Sequence, residues 1–400
     1  MNPSGAKPAD SDRTALHLSI LAAVLFLPVG LHLPYFPVWL AARGLSDGEI
    51  ATVIAAPMVM RVLATPIIAA LADRLGIALV LSACAMTMLA GYCGLDIVEG
   101  FAAIFLGALV VALAMGAMLP LADALTLNEI RRVDALGQRS IAYGHIRVWT
   151  SVGVLTMMLL SGRIVGIFPG ERIIFALTLV ALAPVCVAVL AALKLKKAGP
   201  WRASEGGRMT ADAARLRLAI VCIAAAALIQ ASHAEVYSFG TIHWRQAGLS
   251  SDFIGAAWAI GVASESLLFL LMARFFGAEK NAIGLLMIGG LGAALRWWAM
   301  SADPEPWRLI ALQAMHGLSF GATTCGSVLL LGGLALPTHR ARMQGWLSAA
   351  SALSLAAATF ASGRLTSLFG QKAYLAMAAL ACAGLALALA AGSLKRRLPA

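Results

Sequence analysis

Charge is scarce in this chain: Asp, Glu, Lys and Arg together supply 12 % of its 400 residues. A soluble domain carries about 25 %, so an ordinary water-facing surface is excluded. Cysteine is thin as well. Cys84, Cys93, Cys186, Cys222, Cys325 and Cys382 stand singly in apolar segments without a CxxC spacing, which argues against a disulfide framework or a zinc site. There is no GxxxxGKS/T phosphate loop and no polar stretch long enough to fold as a nucleotide domain, so ATP is not expected to drive the protein. No Ser, His and acid grouping sits at an aqueous face, and the 7 histidines lack metal-ligand spacing. We therefore expect no catalytic residues, no metal and no cofactor. The chief rival of another class is an intramembrane enzyme, but that needs a compact catalytic cluster and the ionisable residues here are spread over both halves. The chain is not expected to be an enzyme.

What fills the chain instead is apolar: 61 % of residues are hydrophobic. A helix needs about 20 such residues to cross the hydrocarbon, and twelve runs qualify. They lie near 16–41, 48–71, 77–97, 100–126, 141–164, 172–193, 216–242, 252–272, 282–300, 307–334, 343–364 and 373–393. The formal net charge of +11 sits in the short loops between them, which speaks against nucleic acid and for membrane orientation. With the termini taken as inside, inner segments hold twenty Lys and Arg against seven outside. Both termini are thus expected in the cytoplasm and the protein in the inner (plasma) membrane.

The longest polar interruption divides the spans into six and six. The expected layout is a cytoplasmic tail over 1–15, a six-helix bundle over 16–193, a cytoplasmic linker over 194–215, a second six-helix bundle over 216–393 and a tail over 394–400. The halves also resemble each other. Gly44-Leu45-Ser46 recurs as Gly248-Leu249-Ser250, an offset that also aligns Ile50 with Ile254 and Arg61 with Glu265. Ser161-Gly162-Arg163 recurs as Ser362-Gly363-Arg364, with Phe168 answering Phe369. Parallel repeats of this kind place a substrate near the membrane midplane where the halves meet. Pro28, Pro34, Pro37, Pro57 and Pro66 should bend or break the first two spans.

Charges within apolar spans cost about 2.5–3.5 kcal/mol on insertion scales and usually mark a path or a partner. Asp123 and Arg147 lie on either side of the polar run 128–140, at similar depth in an antiparallel hairpin. Arg147 can grip a carboxylate by two parallel hydrogen bonds, with Asp123 holding it in the unloaded state; a permanent structural pair is the other reading. Arg61 and Glu265, repeat-equivalent and opposite in charge, either pair across the cavity or pair within their own halves. Trp149 and Tyr237, beside these charges, are candidates to stack on an aromatic substrate.

After the second span comes Leu71-Ala72-Asp73-Arg74-Leu75-Gly76, which resembles the cytoplasmic gate signature of the major facilitator superfamily. That resemblance implies that Asp73, Arg74 and Gly76 latch the inner gate. Over nearly its whole length the chain is similar to the branch containing phenylpropionate-type aromatic acid permeases, and more distantly to lactose and nucleoside proton symporters. The segments are Leu119–Ala124, Tyr143–Gly153, Ser232–Trp244, Trp258–Glu265, Arg296-Trp297 and Gln313–Gly321. The resemblance implies an all-α polytopic membrane protein with twelve transmembrane helices in two six-helix bundles. It also implies that Asp123 and Arg147 meet substrate, and that Glu265, Arg296 and His316 couple protons. In lactose permease a carboxylate follows the histidine by three residues, and Ser319 stands there instead. The titrating acid is then Glu265 or Glu235, with His233 close by. Arg296, near the outer end of its span, is also placed to snorkel to water, and His316, His233 and His32 also suit packing roles.

The chain is expected to be a monomeric secondary transporter whose partners are a small-molecule substrate, protons and the bilayer. It imports an organic anion with protons, an aromatic carboxylate such as 3-phenylpropionate being the candidate. Symport of a neutral sugar or nucleoside, and export of hydrophobic compounds, are the alternatives.

Overall fold

The computed structural model describes residues 8–137, 141–194, 213–271, 282–334 and 340–397. They form α1 (Pro8–Leu25), α2 (Leu27–Ala42), α3 (Asp47–Leu75), α4 (Ile77–Ile97), α5 (Phe101–Ala135), α6 (Tyr143–Ile167), α7 (Ile173–Lys194), α8 (Ala213–Ala231), α9 (Thr241–Gln246), α10 (Ser251–Leu271), α11 (Ala282–Met300), α12 (Pro306–Ala314), α13 (Thr323–Leu334), α14 (Arg340–Phe369) and α15 (Tyr374–Arg396). Among the described residues, 11 helical stretches are long and apolar enough to cross a membrane. The last of them, Arg342–Arg396, runs for 55 residues and is divided at the 3-10 turn Gly370–Ala373.

By packing, the described residues form two units. One holds those through Arg43 together with Met60 to Lys194; the other holds Gly44–Val59 together with the residues from Ala213 onward. In the first, α4 packs on α5 and α7, while α6 packs on α1 and α2. In the second, α15 lies between α11 and α8, and α14 also covers α8. A cut at the linker alone would leave 44–59 with the first unit; by packing it groups with the second. Most of the linker, 195–212, lies outside the described residues, as do Lys7, Arg139, Arg274, Lys280 and the last three residues of the C-terminal tail.

The helices run past several expected ends. The tail over 1–15 is helical from Pro8, and Ser11 is buried. The polar run after the fourth span does not begin a loop at Asn128, because α5 continues to Ala135. Its last turns are amphipathic: Ile130 and Val133 are buried, and Glu129 meets Arg132 at 2.8 Å across one turn. Prolines break the chain less than expected. The only interruption near them is at Phe26, where Pro28 opens α2, whereas Pro34 and Pro37 lie inside α2, and 57 and 66 inside α3.

Turn glycines mark the repeat. Gly44 and Gly248 adopt φ of 80° and 83°, a region glycine enters without a Cβ clash. Each is followed two residues later by a serine that caps a helix. Ser46 and Glu49 form a reciprocal capping box, and Ser250 Oγ accepts from the Phe253 amide at 3.2 Å. The second unit adds what the first lacks, two π-helical segments at Val236–Gly240 and Gly317–Ala322. Such segments are wide turns, found often at functional sites.

Candidate functional site

In the first unit α5 and α6 bring Asp123 and Arg147 together. Arg147 Nε stands 3.5 Å from Asp123 Oδ1, and each side chain is about a third exposed (35 % and 32 %). That is longer than the ~2.7–2.9 Å of a charge-assisted hydrogen bond, so the pair is loose, and the Tyr143 hydroxyl lies within reach of both partners. Tyr143 and Thr150 stand beside it in a recess of about 10 Å³. A larger cavity of about 390 Å³ is lined mainly by α3 and α5, and Thr65, Asp73, Asp123 and Asn128 are its polar groups. Asp123 therefore borders both spaces. Arg61 runs its side chain along Gly116 of α5, where a Cβ would collide with it. Trp149 is 46 % exposed. Asp73 and Arg74 are exposed, and Gly76 holds φ 105° at the start of α4, which explains its place in the motif.

In the second unit the candidates converge on Arg296, which is 1 % exposed. The snorkelling reading is thereby corrected: the guanidinium is enclosed, with its plane over Trp297 at 4.4 Å. It donates through Nη2 to Gln313 Oε1 at 2.6 Å and through Nη1 to Ser319 Oγ and His316 Nδ1, each at 3.2 Å. His316 Nε2 lies 3.4 Å from Glu265 Oε2. Because Arg296 can only donate, His316 must accept at Nδ1, which leaves Nε2–H to face the Glu265 carboxylate.

A second branch runs the other way. His233 Nδ1 is 3.2 Å from the carbonyls of Ile229 and Gln230, so that nitrogen carries the proton. Its Nε2 then accepts from Ser319 Oγ at 3.0 Å. The result is one line of donors from guanidinium to Ser319 to His233 to backbone. Local folding explains it: α8 ends at Ala231, and the turn that follows, before the first π segment, lets the ring reach those carbonyls. Tyr237 packs between this cluster and Trp258, with ring centroids 6.4 Å from His316 and 6.0 Å from Trp258. Glu235 faces away from the cluster and accepts from Thr366 Oγ1 at 2.7 Å. His32 has a packing role, bonded to Tyr92 at 3.0 Å and stacked on Phe36.

Two members of the buried cluster were missed in the sequence reading: Gln313, and Ser319 in a bonding role. Polar uncharged residues in an apolar helix carry little signal by themselves. The one available clue was that both lie in the same short stretch as His316.

A family model described as the MFS_1 like family matches residues 15–376. The chain belongs to that family. It is a multi-pass membrane transporter of the major facilitator superfamily, and not an enzyme. A protein of Escherichia coli (strain K12) named "Probable 3-phenylpropionic acid transporter" is 28 % identical over 302 residues, which cover 75 % of this chain and 77 % of that one. Among solved structures, the nucleoside transporter NupG matches with a TM-score of 0.77 at 17 % identity, over 96 % of this chain and 100 % of that one. A bacterial homologue of the human lysosomal transporter Spinster, inward-facing and occupied, matches with a TM-score of 0.76 at 16 % identity, over 99 % and 100 %. At such identities these structures share the fold.

Proposed function

We propose that this transporter imports a small organic anion together with protons, an aromatic carboxylate such as 3-phenylpropionate being the first candidate. It does so as a monomer of the inner membrane, by alternating access between two six-helix bundles, with both termini cytoplasmic. The observation that carries the reading is the loose Asp123–Arg147 pair. A part-exposed guanidinium held at one point by a carboxylate can exchange that partner for a substrate carboxylate with little net cost. The relative named for 3-phenylpropionic acid agrees with such a ligand. A count of twelve crossings is supported by the last of the 11 stretches, Arg342–Arg396, whose two helices on either side of the turn Gly370–Ala373 are each long enough for a hydrocarbon core of about 30 Å.

Arg147 meets the carboxylate, Asp123 and Arg61 position and release it, and Trp149 and Tyr237 offer aromatic surface. Glu265 takes the coupling proton. Protonation would remove the charge facing His316 Nε2–H, and so loosen the line that ends at Arg296. Arg296, His316 and His233 belong to that relay, and Asp73, Arg74 and Gly76 latch the cytoplasmic gate. The test is uptake of radiolabelled 3-phenylpropionate into proteoliposomes under an imposed inward proton gradient. Accumulation abolished by a protonophore supports anion and coupling together; competition by neutral sugars or nucleosides but not by carboxylates overturns the anion. Glu265→Gln should end gradient-driven accumulation while leaving exchange of bound substrate, and unchanged accumulation would remove Glu265 from the coupling step.

A further inference from the structure

The repeat sets up a comparison that isolates one cluster. At the offset of the Gly-Leu-Ser turns, Glu235 corresponds to Leu31; at the offset of the Ser-Gly-Arg motifs, Ser362 corresponds to Ser161 and Thr366 to Val165. In the first unit α2 also packs on α6, and Leu31 and Val165 are both buried. Ser161 closes its hydroxyl on the Met158 carbonyl of its own helix at 2.6 Å. The repeat-equivalent positions in the first unit are therefore filled by a buried leucine, a buried valine and a self-bonded serine. In the second unit the equivalent positions carry a carboxylate and two hydroxyls.

These groups satisfy one another only in part. Glu235 is 2 % exposed, and Thr366 engages only its Oε1. The hydroxyl of Ser362, which unlike Ser161 is not closed on its own helix, stands close enough to act on the Glu235 carboxylate, yet neither it nor Glu235 Oε2 completes a hydrogen bond of normal geometry. The Tyr374 hydroxyl, buried near Gly240, lacks a partner as well. A buried polar atom left unpaired costs about 1–3 kcal/mol, so the arrangement calls for something that oxygen atoms alone can hold.

We propose that Glu235, Ser362 and Thr366 form a binding site for a small monovalent cation, sodium by its chemistry. Every group is a hard oxygen, the ligand type of alkali and alkaline-earth ions and not of transition metals. One carboxylate in direct reach balances one positive charge, whereas a divalent ion would bring a second into a buried site. Asp47, at the start of α3 in the same unit, lies close enough to sense the charge on Glu235 and adds to the attraction. The backbone is also suited. Glu235 sits between the turn that follows α8 and the π segment Val236–Gly240, and interrupted helices are where transporters expose carbonyls to ions. The site is distinct from the Arg296 cluster, because His233 and Tyr237 face that cluster from one side of the helix and Glu235 points from the other to α14.

The test needs neither substrate nor transport. The full-length protein in detergent is melted in sodium chloride, potassium chloride or N-methylglucamine chloride at equal ionic strength. Sodium should raise the apparent Tm saturably where the others do not, as binding to the folded state requires. Glu235→Gln should abolish the sodium response. The double change Ser362→Ala with Thr366→Val, which imports packing groups close to those of the first unit, should fold and shift the sodium midpoint by roughly tenfold or more, the scale for loss of groups around a metal ligand. It decides the matter if the glutamine variant does not fold. A wild-type protein indifferent to sodium, a response unchanged in either variant, or stabilisation that follows pH alone overturns the site. Failure of phenylpropionate uptake would leave it standing.

Discussion

Arg147 and Arg296 are the same side chain in two opposite settings. Arg147 faces one acid at 3.5 Å and keeps a third of its surface open. Arg296 is closed in, bonded to Gln313, Ser319 and His316 and covered by Trp297. A part-exposed ion pair contributes about 0–1 kcal/mol, so it can be broken and remade during a cycle. A buried charge gives up several kcal/mol of hydration and stays only where partners hold it. One unit thus offers an exchangeable contact and the other a preorganised one.

The sharpest way to break this contrast is to remove the buried charge. Arg296→Met leaves Gln313, His316 and Ser319 without their donor; we expect a loss of about 1–3 kcal/mol from the unpaired acceptors, seen as a fall in the melting temperature. A loss no greater than that of Arg147→Met would mean that the two settings are energetically alike. Next comes Arg147→Lys, which keeps the charge and loses the two-pronged grip. Carboxylate uptake should fall by at least roughly tenfold, equivalent to about 1.4 kcal/mol, with the melting temperature held. Equal uptake would take Arg147 out of the site. Ser319→Ala cuts the line between Arg296 and His233 and should cost about 1–1.5 kcal/mol; a neutral result would show that the line does not act as one unit. Smallest is Asp123→Asn, for which we expect under about 1 kcal/mol on stability but a changed substrate affinity.

How much of this was legible beforehand depended on whether a physical demand leaves a residue-specific mark. The demand for positive φ at Gly44, Gly76 and Gly248 is met by glycine, so the turns and the repeat showed in the letters. Charges in apolar runs are rare enough that Asp123, Arg147, Glu265 and Arg296 stood out. The depth of Arg296 did not, because distance from a helix end says nothing of what neighbouring helices cover; Gln313, His316 and Ser319 come from a different stretch of chain. The π segments carry no compositional signature, since VYSFG and GLSFGA would serve equally in an ordinary helix. The extension of α5 was hidden because its last turns are polar on one face and buried on the other.

The closed line from Arg296 through Ser319 to His233 also bears on how such a protein can change over generations. Each member there is donor or acceptor to the next, so a single replacement leaves its neighbours without a partner. Arg147 and its open surroundings impose no such coordination. Single substitutions near α5 and α6 can be tried one at a time, whereas a change along the buried line has to be matched by its neighbours.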